Sequence, residues 1–296
     1  MKVTIGIPFY NPGILFKDSV LSILNQTYTD FELILLDDGS TDDSLSIALS
    51  FNDKRIKVIS DGSNKGLPCR LNQLINLSQG EYIARMDADD LALPERIEQQ
   101  VKLLDKTLDV DIIATGICSI TDNHQVIGYR QPITNKRNTL SITDAIFGRA
   151  DIAHATILVR KCWYKRNNYN ENAKLMEDYQ LWIDAAIKKD LNVAYIKTPL
   201  YFYREESSVT VRKAIKAYLN VFKIVLVNYF SYLSFYDKIK ITTLTFAKIC
   251  FVSIANLLLL SNKLLLLRNK NTEQNQELLT ELQQKLDSLI LKFQHN

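Results

Sequence analysis

Only four cysteines occur in 296 residues. Cys69, Cys118, Cys162 and Cys250 stand 44 or more positions apart, so no paired spacing suggests a zinc site or a disulfide framework. That usage fits a reducing, cytoplasmic setting. No GxGxxG or P-loop signature occurs, which removes support from dehydrogenase and nucleoside-triphosphatase readings. Internal repeats, low-complexity tracts and Gly/Ser linkers are missing too. Met1, Lys2, Val3 and Thr4 run straight into a strand-like stretch, without the apolar core and cleavage site of a secretory leader. In the apolar C-terminal third the longest uncharged run, residues 249–262, has 14 residues. A spanning helix needs roughly 20.

What is present is an ordinary folded composition, 47% hydrophobic, with its charge unevenly placed. The net charge is +3, yet residues 1–210 carry an excess of four acidic side chains and residues 211–268 an excess of eight basic ones. A mildly acidic body with a basic, apolar appendage is the asymmetry of a protein that meets an anionic surface, either membrane or nucleic acid.

The first hundred residues alternate strand-length apolar runs at 3–7, 31–36, 55–59 and 81–86 with segments of helical period. Leu15, Ser19 and Ile23 step by four, and Leu67, Leu71, Leu74 and Ser78 step by four, three and four. The pattern reads β-α-β-α-β-α-β and predicts a parallel, helix-covered sheet whose ligands collect at the carboxyl ends of the strands. Short strands are expected at 111–116, 156–159 and 192–196, around a helix at 177–189. Three segments follow: a catalytic-type body at 1–210, a basic helical segment at 211–268, and a short amphipathic helix at 269–296. In the last, Leu279, Leu282, Leu286, Leu289 and Phe293 form a heptad seam that could pair two copies.

Three polar clusters fall at strand ends. Asp87-Ala88-Asp89-Asp90 places alternate carboxylates after the fourth strand, hard oxygen donors that suit Mg²⁺ or Mn²⁺ bridging phosphates. The same residues are equally an acidic turn ahead of a helix with Pro94 near its start. Asp37-Asp38-Gly39-Ser40-Thr41-Asp42 offers carboxylates to a base or ribose, or else a turn and helix cap. Pro8-Phe9-Tyr10-Asn11-Pro12, read as the loop after the first strand, brings a ring that could stack on a nucleobase.

These clusters, with Ser22-Ile23-Leu24-Asn25-Gln26-Thr27-Tyr28, Asn64-Lys65-Gly66, the run from Gly80 to Asp90, and Glu177-Asp178-Tyr179, resemble in order the motifs of family 2 glycosyltransferases over most of residues 3–210. The resemblance implies an α/β GT-A fold and inverting sugar transfer from a nucleotide-sugar, most commonly a UDP-sugar. It implies a saccharide acceptor, lipid-linked, in bacterial surface-polysaccharide synthesis (lipopolysaccharide, O-antigen or capsule). Residue by residue, Asp38 with Pro8, Tyr10 and the Asn64, Lys65, Gly66 loop resembles the base and ribose pocket, with Arg70 beside it. Asp87 and Ala88 resemble the ribose side of the DxD motif, and Asp89 the ligand of Mn²⁺ or Mg²⁺. His154 falls where many members place a histidine near the diphosphate or metal. Arg204, with Ser207 and Ser208, resembles a loop closing over the donor, and Asp178 the catalytic base. Tyr179-Gln180-Leu181-Trp182 lacks the arginine of the Gln-x-x-Arg-Trp motif found in processive synthases, so addition of one or a few sugars is expected.

The lysines of the appendage, Lys216, Lys223, Lys248 and Lys263, interleave with aliphatic and aromatic residues. That pattern predicts helices lying at the membrane interface on its cytoplasmic face and disfavours nucleic acid, with a packed helical subdomain as the alternative. The rival to catalysis is a degenerate binding or scaffold protein. Retention of Asp38, Asp87, Asp89 and Asp178 together argues against it.

Overall fold

The computed structural model describes residues 1–133, 138–173, 175–205, 211–257 and 276–294. Ser207, Ser208, Lys263 and the rest of 258–275 lie outside them. Four parallel strands, β1 (Val3–Phe9), β2 (Phe31–Asp37), β3 (Ile56–Ile59) and β4 (Tyr82–Arg85), alternate with helices α1 (Leu15–Leu24), α2 (Ser44–Ser50) and α3 (Leu67–Leu77). After β5 (Leu91–Ala92) and α4 (Arg96–Lys106) come β6 (Ile112–Ile120), β7 (Val126–Arg130), β8 (Asn138–Thr139), α5 (Ile142–Ile146), β9 (Leu158–Arg160), α6 (Lys161–Tyr164), α7 (Glu177–Ile187) and β10 (Asn192–Arg204). The sheet runs β3-β2-β1-β4-β9-β6-β10-β5, with β7 paired to β6 and β8 to β10. β9 is antiparallel to both its neighbours, so the parallel half gives way there to a mixed half.

Period-two alternation sends β2 into two cores. Leu33 and Leu35 pack with Ile5, Phe16 and Val20 under α1, while Ile34 and Leu36 pack with Leu71 and Leu74 of α3 on the opposite face. Burial on both faces is why these strands read as continuous apolar runs. Removing one such leucine would cost about 2–5 kcal/mol.

Two departures from expectation concern strand and helix ends. Pro8 and Phe9 belong to β1 and not to the following loop. Their pairing with Leu36 and Asp37 extends the strand, and the Phe9 ring lies 4.5 Å from Phe16. The C-terminal helix (Gln276–Phe293) turns its seam inward: Leu282, Leu286, Leu289 and Phe293 are buried with Leu21, Leu93, Cys118 and Phe202. Gln283 Nε2 donates to the His124 carbonyl at 3.0 Å, and Gln283 Oε1 accepts the Val126 amide at 2.8 Å. The apolar stripe expected to pair two copies is filled within one chain.

The appendage packs in part against the body of the protein. Helix α8 (Val211–Ile224) and helix α9 (Phe235–Leu257) flank an irregular helical turn. Val225, Tyr229, Leu233 and Ile241 are buried in the same core as Leu181 and Ala185 of α7, and Tyr229 Oη donates to Asp184 at 2.7 Å. On the outer face, Val227, Phe235, Tyr236, Phe246 and Phe251 are exposed. Among the described residues no helix is long and apolar enough to cross a membrane.

Candidate active site

β1 lies between β2 and β4, so the loops leaving these three strands open side by side at one edge of the sheet. After β2, Asp37 is buried. Burial opposes its ionisation, but hydrogen bonds from Ser60 and Ser40 outweigh this and hold its carboxyl below the usual range. Asp38 accepts the Lys65 amide at 2.7 Å, the Gly66 amide at 3.0 Å and Arg70 Nε at 2.9 Å. Arg70, itself fully buried, continues to Asp61 at 2.7 Å and Gln73 at 2.7 Å. Gly39, at φ 77°, lies so near this loop that a Cβ would come within 2.8 Å of the Ser63 carbonyl carbon. Only glycine fits that turn. Asp38 therefore anchors the 64–66 loop, leaving Tyr10, Asn64 and Lys65 exposed at the rim.

After β4, buried Arg85 pairs with the Asp87 carboxylate. The Asp87 amide donates to Tyr201 Oη at 3.1 Å, and Tyr201 Oη donates to buried Asp90 at 2.8 Å. Asp90 also accepts the Arg204 amide at 2.8 Å. The last acid of the cluster thus fastens the loop to β10. Arg204 donates from Nε to the Asp89 carbonyl and from Nη1 to the Thr121 and Asp122 carbonyls at 3.1 and 2.9 Å, with Nη2 2.9 Å from His124 Nε2. Its guanidinium holds backbone in place.

Asp89 reaches solvent and has no ion pair among the described residues. Crowding by the protein and the neighbouring Asp87 charge raise its carboxyl above the usual range. Two like-charged carboxylates side by side, one unpaired, are a donor set that a hard divalent cation would relieve. They fit Mg²⁺ or Mn²⁺ as part of a ligand set. Among the described residues no three His, Cys, Asp or Glu side chains close around a metal position. His154 sits in an aromatic nest. Its Nε2 is 2.7 Å from Tyr169 Oη, Trp182 meets it edge-on, and burial with the Arg85 charge pushes its pKa well below normal.

Asp178 stands in the first turn of α7 and accepts the Tyr179 amide at 2.7 Å. Burial raises its pKa, while that hydrogen bond and the Arg85 charge oppose the rise and Asp87 adds to it. Arg85 thus acts on both the DxD side and Asp178. Asp178, Tyr179 and Trp182 line a cavity of about 730 Å³ together with Thr115, Ala145 and Lys248. The edge of the parallel half can hold an anionic, hydroxyl-rich ligand. The cavity lined by Asp178 can hold a second reactant next to that carboxylate.

Residues 4–161 match the family model described as Glycosyl transferase family 2. The chain belongs to that family. It is 32% identical over 219 residues to the putative glycosyltransferase EpsE of Bacillus subtilis, covering 72% of this chain and 76% of that protein. An uncharacterised glycosyltransferase of Methanocaldococcus jannaschii is 31% identical over 206 residues, 68% of this chain and 70% of the relative. Among solved structures, residues 1–349 of S. aureus TarS in complex with UDP-GlcNAc superpose with a TM-score of 0.59 at 17% identity, covering 84% of this chain and 72% of that one. The mannosyltransferase PcManGT of Pyrobaculum calidifontis, in complex with GDP-Man and Mn²⁺, gives 0.59 at 14% identity over 99% and 87%. The fold is GT-A, and the enzyme is a glycosyltransferase using a nucleotide-sugar donor.

Tyr201, His124 and Arg85 enter this transferase's site without having been singled out by sequence. Tyr201 lies over a hundred residues from the loop it holds, so no local spacing could reveal it. Arg85 carried a signal that was available, a charge inside an otherwise apolar strand.

Proposed function

We propose that the transferase inverts the anomeric centre of a UDP-sugar, passing the sugar to a lipid-linked saccharide in bacterial surface-polysaccharide synthesis. The supporting observation is the placement of Asp178 at the start of α7. It lines a cavity, and its carboxyl feels both the buried Arg85 charge and the Asp87 carboxylate of the Asp87-Ala88-Asp89 loop. Tyr10 and the Asn64, Lys65, Gly66 loop, anchored by Asp38 and Arg70, border the base and ribose. Pro8 shapes the end of β1 beneath them. Asp87 pairs with Arg85 and meets the ribose, and Asp89 with Asp87 would hold Mg²⁺ or Mn²⁺. When bound, the ion neutralises the departing diphosphate. Arg204 fixes the Asp89 backbone. His154, held by Tyr169, packs under the site and is left out of the ligand set in this reading.

Asp178 accepts the acceptor hydroxyl proton as the oxygen bonds to the anomeric carbon. The bond from that carbon to the phosphate oxygen breaks on the opposite face, and UDP leaves with the electron pair. Burial raises the Asp178 pKa, and the helix N-terminus and the Tyr179 amide oppose that rise by favouring the carboxylate. The exposed apolar and aromatic face of 226–254 and the basic excess of 211–268 suit the cytoplasmic headgroup boundary, where the acceptor's lipid would lie. The test is a screen of nucleotide-sugars for metal-dependent hydrolysis, followed by NMR of the product formed on a lipid-linked acceptor. A product with the donor's own anomeric configuration would rule out inversion.

A further inference from the structure

The turn between β6 and β7 closes tightly. The Thr121 amide donates to the Gln125 carbonyl at 2.9 Å, and the His124 amide to the Thr121 carbonyl at 3.1 Å. His124 sits in this turn at φ 61°, a left-handed conformation that glycine adopts without steric cost and histidine does not. The backbone hydrogen bonds of the turn have no use for a ring at this position. The imidazole instead reaches across to β10, where its Nε2 lies 2.9 Å from Arg204 Nη2. A guanidinium has donors only, so Nε2 accepts, and the ring is neutral with its proton on Nδ1. Asp18 Oδ2, 3.3 Å from the same nitrogen, sets a negative charge beside the Arg204 cation from α1.

The turn is also held from outside. Gln283 of the C-terminal helix bonds the His124 carbonyl with its Nε2 and the Val126 amide with its Oε1, so one side chain spans the exit of the turn. The Thr121 and Asp122 carbonyls and His124 Nε2 together give the Arg204 guanidinium three acceptors. Arg204 Nε is left to hold the Asp89 carbonyl. That bond limits rotation of the Asp89 backbone, and so the direction in which its carboxylate projects.

We infer that His124 is a positioning residue for the metal-binding carboxylate: it seats the Arg204 guanidinium that holds Asp89, and the C-terminal helix, through Gln283, keeps the turn in place. This rests on the reading of Asp89 as a ligand of Mg²⁺ or Mn²⁺. The left-handed backbone at His124 is tolerated because the site uses the ring. The C-terminal helix, far from the DxD loop in sequence, thereby acts on the donor edge through one turn.

The experiment uses the full chain. UDP is titrated by calorimetry at a series of Mn²⁺ concentrations to give the Mn²⁺ half-saturation of the donor site, with thermal unfolding measured alongside. His124→Gly relieves the backbone and deletes the ring. Its melting temperature should rise or stay within about 3 °C of the parent's. Its Mn²⁺ half-saturation should rise roughly fivefold, the effect of losing one hydrogen bond. His124→Gln returns an amide oxygen near the Nε2 position and should recover most of the lost affinity while keeping the strained backbone. Gln283→Ala should shift the half-saturation in the same direction by a smaller factor. An unchanged half-saturation in His124→Gly overturns the inference. So does a weakened one that His124→Gln fails to recover, or one accompanied by a marked loss of melting temperature, since each makes His124 a turn residue alone. All three leave the metal reading intact. A parent protein whose UDP affinity ignores Mn²⁺ removes the metal assignment, and this inference with it.

Discussion

At the carboxyl ends of β2 and β4, Asp37, Asp38 and Asp90, with the Arg204 guanidinium reaching in from β10, each have protein partners for their polar atoms. Around α7 the opposite holds. Trp182 Nε1 is unpartnered, burial raises the Asp178 pKa, and Lys248 has no ion pair among the described residues. The difference teaches that the proposed donor edge is held by the protein's own hydrogen bonds, whereas the proposed acceptor cavity keeps polar groups that a ligand would have to satisfy. Pre-organisation of the donor edge lowers the ordering entropy lost on binding. Open valences at the cavity select against acceptors that cannot fill them.

The largest break in this comparison comes at Asp89. Because its carboxylate is the unpaired one of the DxD pair, Asp89→Ala should reduce sugar transfer to background, and excess chelator should do the same to the parent enzyme. Full turnover in chelator would contradict the assignment. A smaller effect is expected on the pre-built scaffold. Arg70→Ala removes the cation that ties Asp38 to Asp61, and should destabilise the fold by about 2–4 kcal/mol. Thermal unfolding would show this as a drop of roughly 5–10 °C, with Arg70→Lys intermediate. An unchanged melting point would mean the 64–66 loop is held by its amides alone. The smallest effect belongs to the outer face of α9. Phe246→Ser with Phe251→Ser should weaken sedimentation with anionic vesicles a few-fold. High salt should weaken but not abolish binding of the parent, since apolar insertion is unscreened.

Sequence made the parallel half legible because each strand there is buried on both faces and each helix keeps one apolar stripe. The DxD loop, Asp38 and Asp178 were visible as charges at strand or helix ends. Their partners were not. Tyr201 and Arg204 reach the DxD loop from β10, a contact that depends on sheet order and not on local pattern. The C-terminal seam had the correct period but no local cue to its partner, since Leu282 and Leu286 pack beside Cys118 and Phe202 just as they would against another helix. Lys248 looked like one interfacial lysine among several until α9 was seen against the cavity.

The division between a finished donor edge and an acceptor cavity served by Asp178 is tested most directly by one paired measurement on Asp178→Asn: UDP affinity by calorimetry and transfer rate across pH. In the parent enzyme the base must be deprotonated to act, so activity is lost as pH falls through its pKa, and burial places that acid limb above the ordinary aspartate value. The account expects Asp178→Asn to keep UDP affinity within a few-fold while transfer falls by roughly 10²–10⁴ and the acid limb disappears. Transfer that survives with the limb in place, or UDP affinity that is lost along with it, would contradict the account.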